Sequence, residues 1–253
     1  MSGDIHARVQ GKGLETVVLL HGFGGHHDVW YDIQPALAPV ARVLAYDLPG
    51  HGRSLGYPGA GPAHVAAKAV LADLGARGIA RAHLVGHSMG GAIAVLAALR
   101  SPETVASLTL LAPGGFGPEI NFDLLRRYAA ATNADDLRAC MDEMSAPGFT
   151  MPTKYVAGLV ATRGVAGQRE KLIEIAALIT KGDRQGEIPR DSLASLAMPV
   201  RVVWGTEDTV LPYSQTAGLP TNLSLETLPG KGHMLLEEAR ETVVRAIRKA
   251  VRS

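Results

Sequence analysis

Cysteine is almost missing from this chain: Cys140 is the only one in 253 residues. A lone thiol cannot close an internal disulfide and excludes a cysteine-built metal site, so a reducing compartment, the cytoplasm, is expected. Aromatic residues are scarce at 5%, and neither charge is in excess, with 25 Lys and Arg against 24 Asp and Glu. A net charge of +1 offers no electrostatic footprint for nucleic acid or an anionic membrane. Long apolar runs are lacking too. The longest, residues 90–99, falls well short of the roughly 20 residues that cross a bilayer. The opening MSGDIHARVQGKGLE has neither an apolar leader core nor a cleavage signal. No membrane segment is expected, and the expected partner is a small molecule.

What is present is a globular composition, 47% hydrophobic, with short β-branched runs alternating with Ala-rich stretches. Residues 16–20, 42–46, 82–85 and 107–111 read as strands, with 5–9 as an antiparallel edge strand leading in. Residues 27–38, 63–76 and 89–100 read as the helices between them. That alternation predicts a mostly parallel, doubly wound α/β sheet. The rhythm breaks at Gly114. Up to about residue 197 no strand is evident, only helical patterns near 123–132, 134–145, 153–163 and 167–180. Strands resume at 200–204 and 223–227, and a last helix covers about 236–251. The expected organisation is a core from 1–113 and 198–253, with a helical cap, 114–197, over the strands' carboxyl ends.

The sharpest local feature is Gly86-His87-Ser88-Met89-Gly90, a G-x-S-x-G set between a strand and a helix. Such a turn strains the serine backbone and lifts its hydroxyl above the sheet, making Ser88 the candidate nucleophile. It also leaves the Met89 N–H at a helix N-terminus, aimed where negative charge would develop. A serine needs a base, and the base an orienting acid. Asp208 follows the strand at 200–204, and His233 closes the loop after the strand at 223–227. Glu207 is the neighbouring alternative to Asp208, whose shorter side chain suits a fixed hydrogen bond better. The second oxyanion donor is expected from His21-Gly22-Phe23-Gly24-Gly25: the Phe23 N–H, or else that of Gly24.

The remaining histidines, His21, His26, His27, His51 and His87, read as structural braces, as do Asp47 and Arg53. Cys140 reads as a buried thiol. Met141, Met144, Met151, Phe116, Phe122, Phe149 and Tyr155 supply apolar cap surface, some of it lining a pocket. The cap charges Arg126, Arg127, Lys154, Arg163, Lys171 and Lys181 read as a solvated face. No cofactor or metal is called for.

These motifs, with Asp47-Leu48-Pro49-Gly50-His51-Gly52-Arg53-Ser54, resemble the α/β-hydrolase superfamily of the capped, serine-nucleophile type over essentially the whole chain. The resemblance implies Ser88 as nucleophile, Asp208 as acid, His233 as base, and Phe23 and Met89 as oxyanion donors. Residues 110–121 and 18–25 are similar to the hydrolase-like domain of acetoin dehydrogenase acyltransferase components. Those proteins carry a lipoyl domain; with roughly 15 residues before the first core strand, none is expected here. The expected activity is hydrolysis of a small ester, thioester or β-diketone-type C–C bond through a Ser88 acyl-enzyme. An acyltransferase is the alternative within the fold, and a non-catalytic ligand-binding protein the alternative outside catalysis. With no basic cluster to grip coenzyme A, water is favoured as the acyl acceptor.

Overall fold

The computed structural model describes residues 4–252. Its strands and helices run β1 (Ala7–Gln10), β2 (Thr16–Leu20), α1 (Ile33–Leu37), β3 (Arg42–Tyr46), α2 (Ala63–Ala76), β4 (Ala82–His87), α3 (Met89–Arg100) and β5 (Val105–Leu111). After these come α4 (Phe122–Ala130), α5 (Ala134–Met144), α6 (Thr153–Arg163), α7 (Gln168–Ile179), β6 (Thr180–Lys181), β7 (Arg184–Gln185) and α8 (Arg190–Ala194). The chain closes with β8 (Val200–Gly205), β9 (Leu223–Leu228), α9 (Leu235–Glu238) and α10 (Arg240–Val251).

Seven strands form one sheet in the order β1-β3-β2-β4-β5-β8-β9. Only β1 is antiparallel to its neighbour. All five positions of β2 are buried, as a strand covered on both faces requires. Helix α2 packs on α3 and α1 on α10, forming two helix pairs against the sheet. From β2 the chain moves outward to β3, then returns to add β4 on the other side. That reversal opens a crevice at the carboxyl ends of β2 and β4, where ligands of open α/β sheets bind. The loop at His21 follows β2 and Ser88 follows β4, so the topology itself delivers both to the crevice.

Every element from α4 to α8 lies between β5 and β8. Helices α4 and α5 start where Asn121 and Asn133 accept hydrogen bonds from the Leu124 and Asp136 amides, satisfying donors that a helix start leaves open. Among the described residues no helix is long and apolar enough to cross a membrane.

Three expectations are corrected. Residues 27–38 are not one helix but a 3-10 turn, His27–Trp30, followed by the single turn of α1. Pro35 offers no N–H and would crowd a preceding helical turn, so it fits only in the first turn of a helix, and α1 starts just ahead of it instead of continuing from the 3-10 turn. The last helix is interrupted at Ala239, which leaves helical geometry at φ −139°. The stretch 114–197 also contains a strand pair: β6 and β7 form a hairpin, extended by a bridge from Glu119 to Arg184. Strands of two residues carry no periodicity, and the visible clue was the Gly182-Asp183 pair between them.

Candidate active site

Ser88 sits between β4 and α3 at φ 53°, ψ −119°, a region that side chains with a Cβ rarely enter. Flanking glycines make the turn sterically feasible. A Cβ on Gly86 would lie 2.2 Å from the Gly90 carbonyl oxygen, and one on Gly90 would lie 2.3 Å from that of Leu20. The Ser88 amide donates to the Leu111 carbonyl at 2.9 Å, and its own carbonyl accepts from Gly91 and Gly114 at 2.9 Å each. The serine is thereby fixed by β5 as well as by its own helix.

Asp208 and His233 stand on the loops after β8 and β9, and both are buried. His233 Nδ1 lies 2.8 Å from Asp208 Oδ2. The other oxygen, Oδ1, accepts from the Val210 and Leu211 amides at 2.9 and 2.8 Å, which aims the carboxylate at the ring. Glu207, the sequence alternative, bonds instead to the Thr206 hydroxyl at the surface. The His233 amide donates to the Met144 carbonyl at 2.8 Å, tying its loop to the end of α5.

Two further residues support this histidine, of which the sequence left Glu238 without a role. Buried Glu238 accepts from the Gly232, Met234 and Ala146 amides at 2.8, 3.1 and 3.0 Å, bracketing His233 on both sides. His87 Nε2 donates to the His233 carbonyl at 2.9 Å, with the two rings 4.9 Å apart. Burial lowers the His87 imidazole to about 3, so it stays neutral and serves as a brace, as expected.

The loop after β2 is equally constrained. His21 Nδ1 donates to the Gly22 carbonyl at 2.7 Å, while its Nε2 accepts from the Leu48 amide at 3.0 Å. His51 Nε2 accepts from the Gly24 amide at 3.1 Å. Burial lowers these two rings to about 3 and about 4. The Phe23 and Met89 amides donate to no acceptor among the described residues.

Ser88, His233, Phe23 and Met89 all line one cavity of about 290 Å³. Its far wall comes from the elements between β5 and β8, through Leu125, Tyr128, Met144, Tyr155, Leu178 and Gln185. Among the described residues no Asp, Glu, Lys or Arg lines it. Of the apolar residues expected around the pocket, Met144 and Tyr155 reach it, whereas Met141, Met151 and Phe116 are packed in the core.

One expected surface charge is misplaced: Arg163 is not on a solvated face but 5% exposed. Among the described residues two clusters have metal-like composition, His6 with His27 and Asp47, and His26 with His27 and Asp28. Both are occupied internally. Asp47 accepts from the His27 amide, His27 Nδ1 and the Arg53 amide at 2.7, 2.8 and 2.9 Å, and Asp28 pairs with Arg8. Burial opposes the charge on Asp47, yet those hydrogen bonds outweigh it and hold the carboxyl below the usual range.

Known proteins share this arrangement of elements. A carboxylesterase from Bacillus subtilis superposes with a TM-score of 0.84 at 20% identity, covering 98% of this chain and 88% of that one. The acetyltransferase component of the acetoin cleaving system of Pseudomonas putida is 38% identical over 233 residues, 92% of this chain and 62% of the relative. The chain thus spans about three fifths of that relative's length. A 2-hydroxy-6-oxononadienedioate/2-hydroxy-6-oxononatrienedioate hydrolase from Burkholderia vietnamiensis is 29% identical over 87% of this chain and 80% of its own length. The pattern that describes the alpha/beta hydrolase family matches residues 17–246, from β2 into α10. With the sheet order, the strand-to-helix serine and this match in agreement, the chain belongs to the alpha/beta hydrolase family.

Proposed function

We propose that the protein is a cofactor-independent serine hydrolase acting on a small, apolar carboxylic ester, thioester or β-diketone-type substrate. The observation that carries this reading is the convergence in one cavity of Ser88, the Asp208-paired His233 and two unengaged backbone amides. Ser88 Oγ attacks the carbonyl while His233 Nε2 takes its proton, and Asp208 stabilises the resulting imidazolium. The Phe23 and Met89 amides receive the oxyanion of the tetrahedral intermediate. His233 returns the proton to the leaving group, and a water activated by the same imidazole then clears the acyl-enzyme. The elements between β5 and β8 act as a cap that keeps the acyl group out of bulk water. An apolar lining without ionised side chains favours an uncharged acyl chain, because a buried carboxylate without a partner is costly.

A second reading has its own support. The 38% identity to an acetyltransferase component favours transfer of the acyl group to a thiol. Offering one acyl donor with water, dihydrolipoamide and coenzyme A together distinguishes the two, since products report the preferred acceptor. Labelling by a fluorophosphonate probe tests the mechanism directly. Ser88 is expected to be the modified residue, and Ser88→Ala is expected to abolish both labelling and p-nitrophenyl ester turnover. A folded wild-type protein that neither labels nor turns over esters would support a ligand-binding role instead.

A further inference from the structure

A buried arginine stands behind the loop that carries Phe23. Arg163 ends α6, and among the described residues no carboxylate pairs with it. Its Nη1 donates to the Gly24 carbonyl at 3.3 Å and its Nη2 to the Tyr128 carbonyl at 3.4 Å, while Nε finds no partner. The guanidinium carbon lies 5.0 Å from the centre of the Tyr128 ring. Arginine keeps its charge even when buried, and a buried cation without an anion is expensive. Nothing in the packing requires that cost, since the rest of this face of α6 is Tyr155, Val156 and Leu159.

The hydrogen bonds around Gly24 form a directed chain. The carbonyl that Arg163 holds belongs to the Gly24–Gly25 peptide, whose N–H donates to the Gly22 carbonyl at 3.1 Å. That carbonyl belongs in turn to the Gly22–Phe23 peptide, whose N–H is the Phe23 donor. Each peptide accepts at its oxygen and donates at its nitrogen in the same sense. A cation at the head therefore makes every N–H along the chain more positive, the last being that of Phe23, a residue that lines the cavity. His21 reinforces the second step by donating to the same Gly22 oxygen. Gly24 is at φ +71°, and a Cβ there would meet the Tyr128 ring at 2.6 Å and Arg163 Nη2 at 2.9 Å. Only a glycine lets the loop lie this close to the arginine.

We propose that Arg163 is a positioning residue that fixes and polarises the Phe23 amide through the intervening Gly24–Gly25 peptide, making the oxyanion site depend on a residue of the helical insertion. The tetrahedral oxyanion is then the anion that this buried cation lacks in the resting protein. The inference rests on Phe23 being an oxyanion donor, as proposed above.

The test uses the full chain with Arg163→Met and Arg163→Lys, and two readouts. With a neutral short-chain p-nitrophenyl ester, Arg163→Met is expected to lower kcat by about 10- to 100-fold, less than loss of a direct oxyanion donor, with KM within about twofold. Affinity for a trifluoromethyl ketone should fall by the same factor as kcat/KM, and Arg163→Lys should recover part of the loss. The second readout needs no turnover. In 15N-labelled protein the Phe23 and Gly25 amide protons should move upfield in Arg163→Met while distant amides stay in place. Unmoved amide shifts, or an unchanged kcat with a raised KM, would overturn the proposal. So would a loss confined to esters bearing a terminal carboxylate, which would make Arg163 a substrate ligand. Shifts that move in a protein whose Ser88 neither labels nor turns over esters would retain the relay and reject the serine mechanism.

Discussion

Ser88 occupies a backbone conformation that favours glycine, so its strain can be measured separately from its chemistry. Ser88→Gly and Ser88→Ala are both expected to be inactive. The glycine variant should be more stable than the alanine variant by about 1 kcal/mol in urea denaturation, because it releases the strain at positive φ. Asp208 allows a similar separation. In Asp208→Asn the amide oxygen can still accept from Val210 and Leu211, so the melting temperature should change little. The amide nitrogen, however, now faces His233 Nδ1 and favours the wrong tautomer. A loss of about 10³- to 10⁴-fold in kcat is expected, read by ester hydrolysis beside a thermal melt. Full activity in Asp208→Asn would move the acid elsewhere.

Elements were legible where one physical signal dominated. The buried strands β2, β4 and β5 are continuous apolar runs, and the elbow is marked by glycines that only a tight strand-helix crossing requires. That Ser88, Asp208 and His233 would gather at one end of the sheet was readable because each lies just past a strand end. Glu238 was not, because its work is done by a side chain folding back on its own upstream backbone, which leaves no spacing rule. Arg163 misled because charge was weighed alone. Its register with Tyr155, Val156 and Leu159 places it on the buried stripe of α6, a helical period visible in the sequence. Glu238→Ala tests the loop brace. It strands the Gly232, Met234 and Ala146 amides in a buried setting, so a loss of about 3 kcal/mol or more is expected in urea denaturation. Activity should fall at temperatures where the variant remains folded, because His233 loses its anchor.

Across the whole molecule, three buried neutral histidines set an acid limit. His21 and His87 are lowered to about 3 and His51 to about 4, against an ordinary value near 6.5. Between those values and about 6.5 the unfolded chain binds protons that the folded protein refuses, so stability falls as pH falls. Each ring contributes on the order of 1 kcal/mol per pH unit, and the three together can consume a typical domain's stability. Urea midpoints should therefore be flat above about pH 7 and drop steeply from pH 6 towards 4. Replacing His83, which bonds to Ser107 near the other end of β4, serves as a comparison away from the loops of the candidate site.

The ties at the end of α5 also determine how anything reaches the serine. Carbonyls of Glu143 and Met144 accept from Thr209 and His233, and the Ala146 amide donates to Glu238, so this margin of the insertion is stitched to the core. On the opposite margin, Leu178 lines the cavity yet is 55% exposed, resting against Gly61 beside Pro62 and Ala63. Entry is therefore expected between α7 and the segment leading into α2, with Leu178 as the doorpost. Leu178→Trp should slow bulky esters far more than acetate esters, turning a question of chemistry into one of gate width.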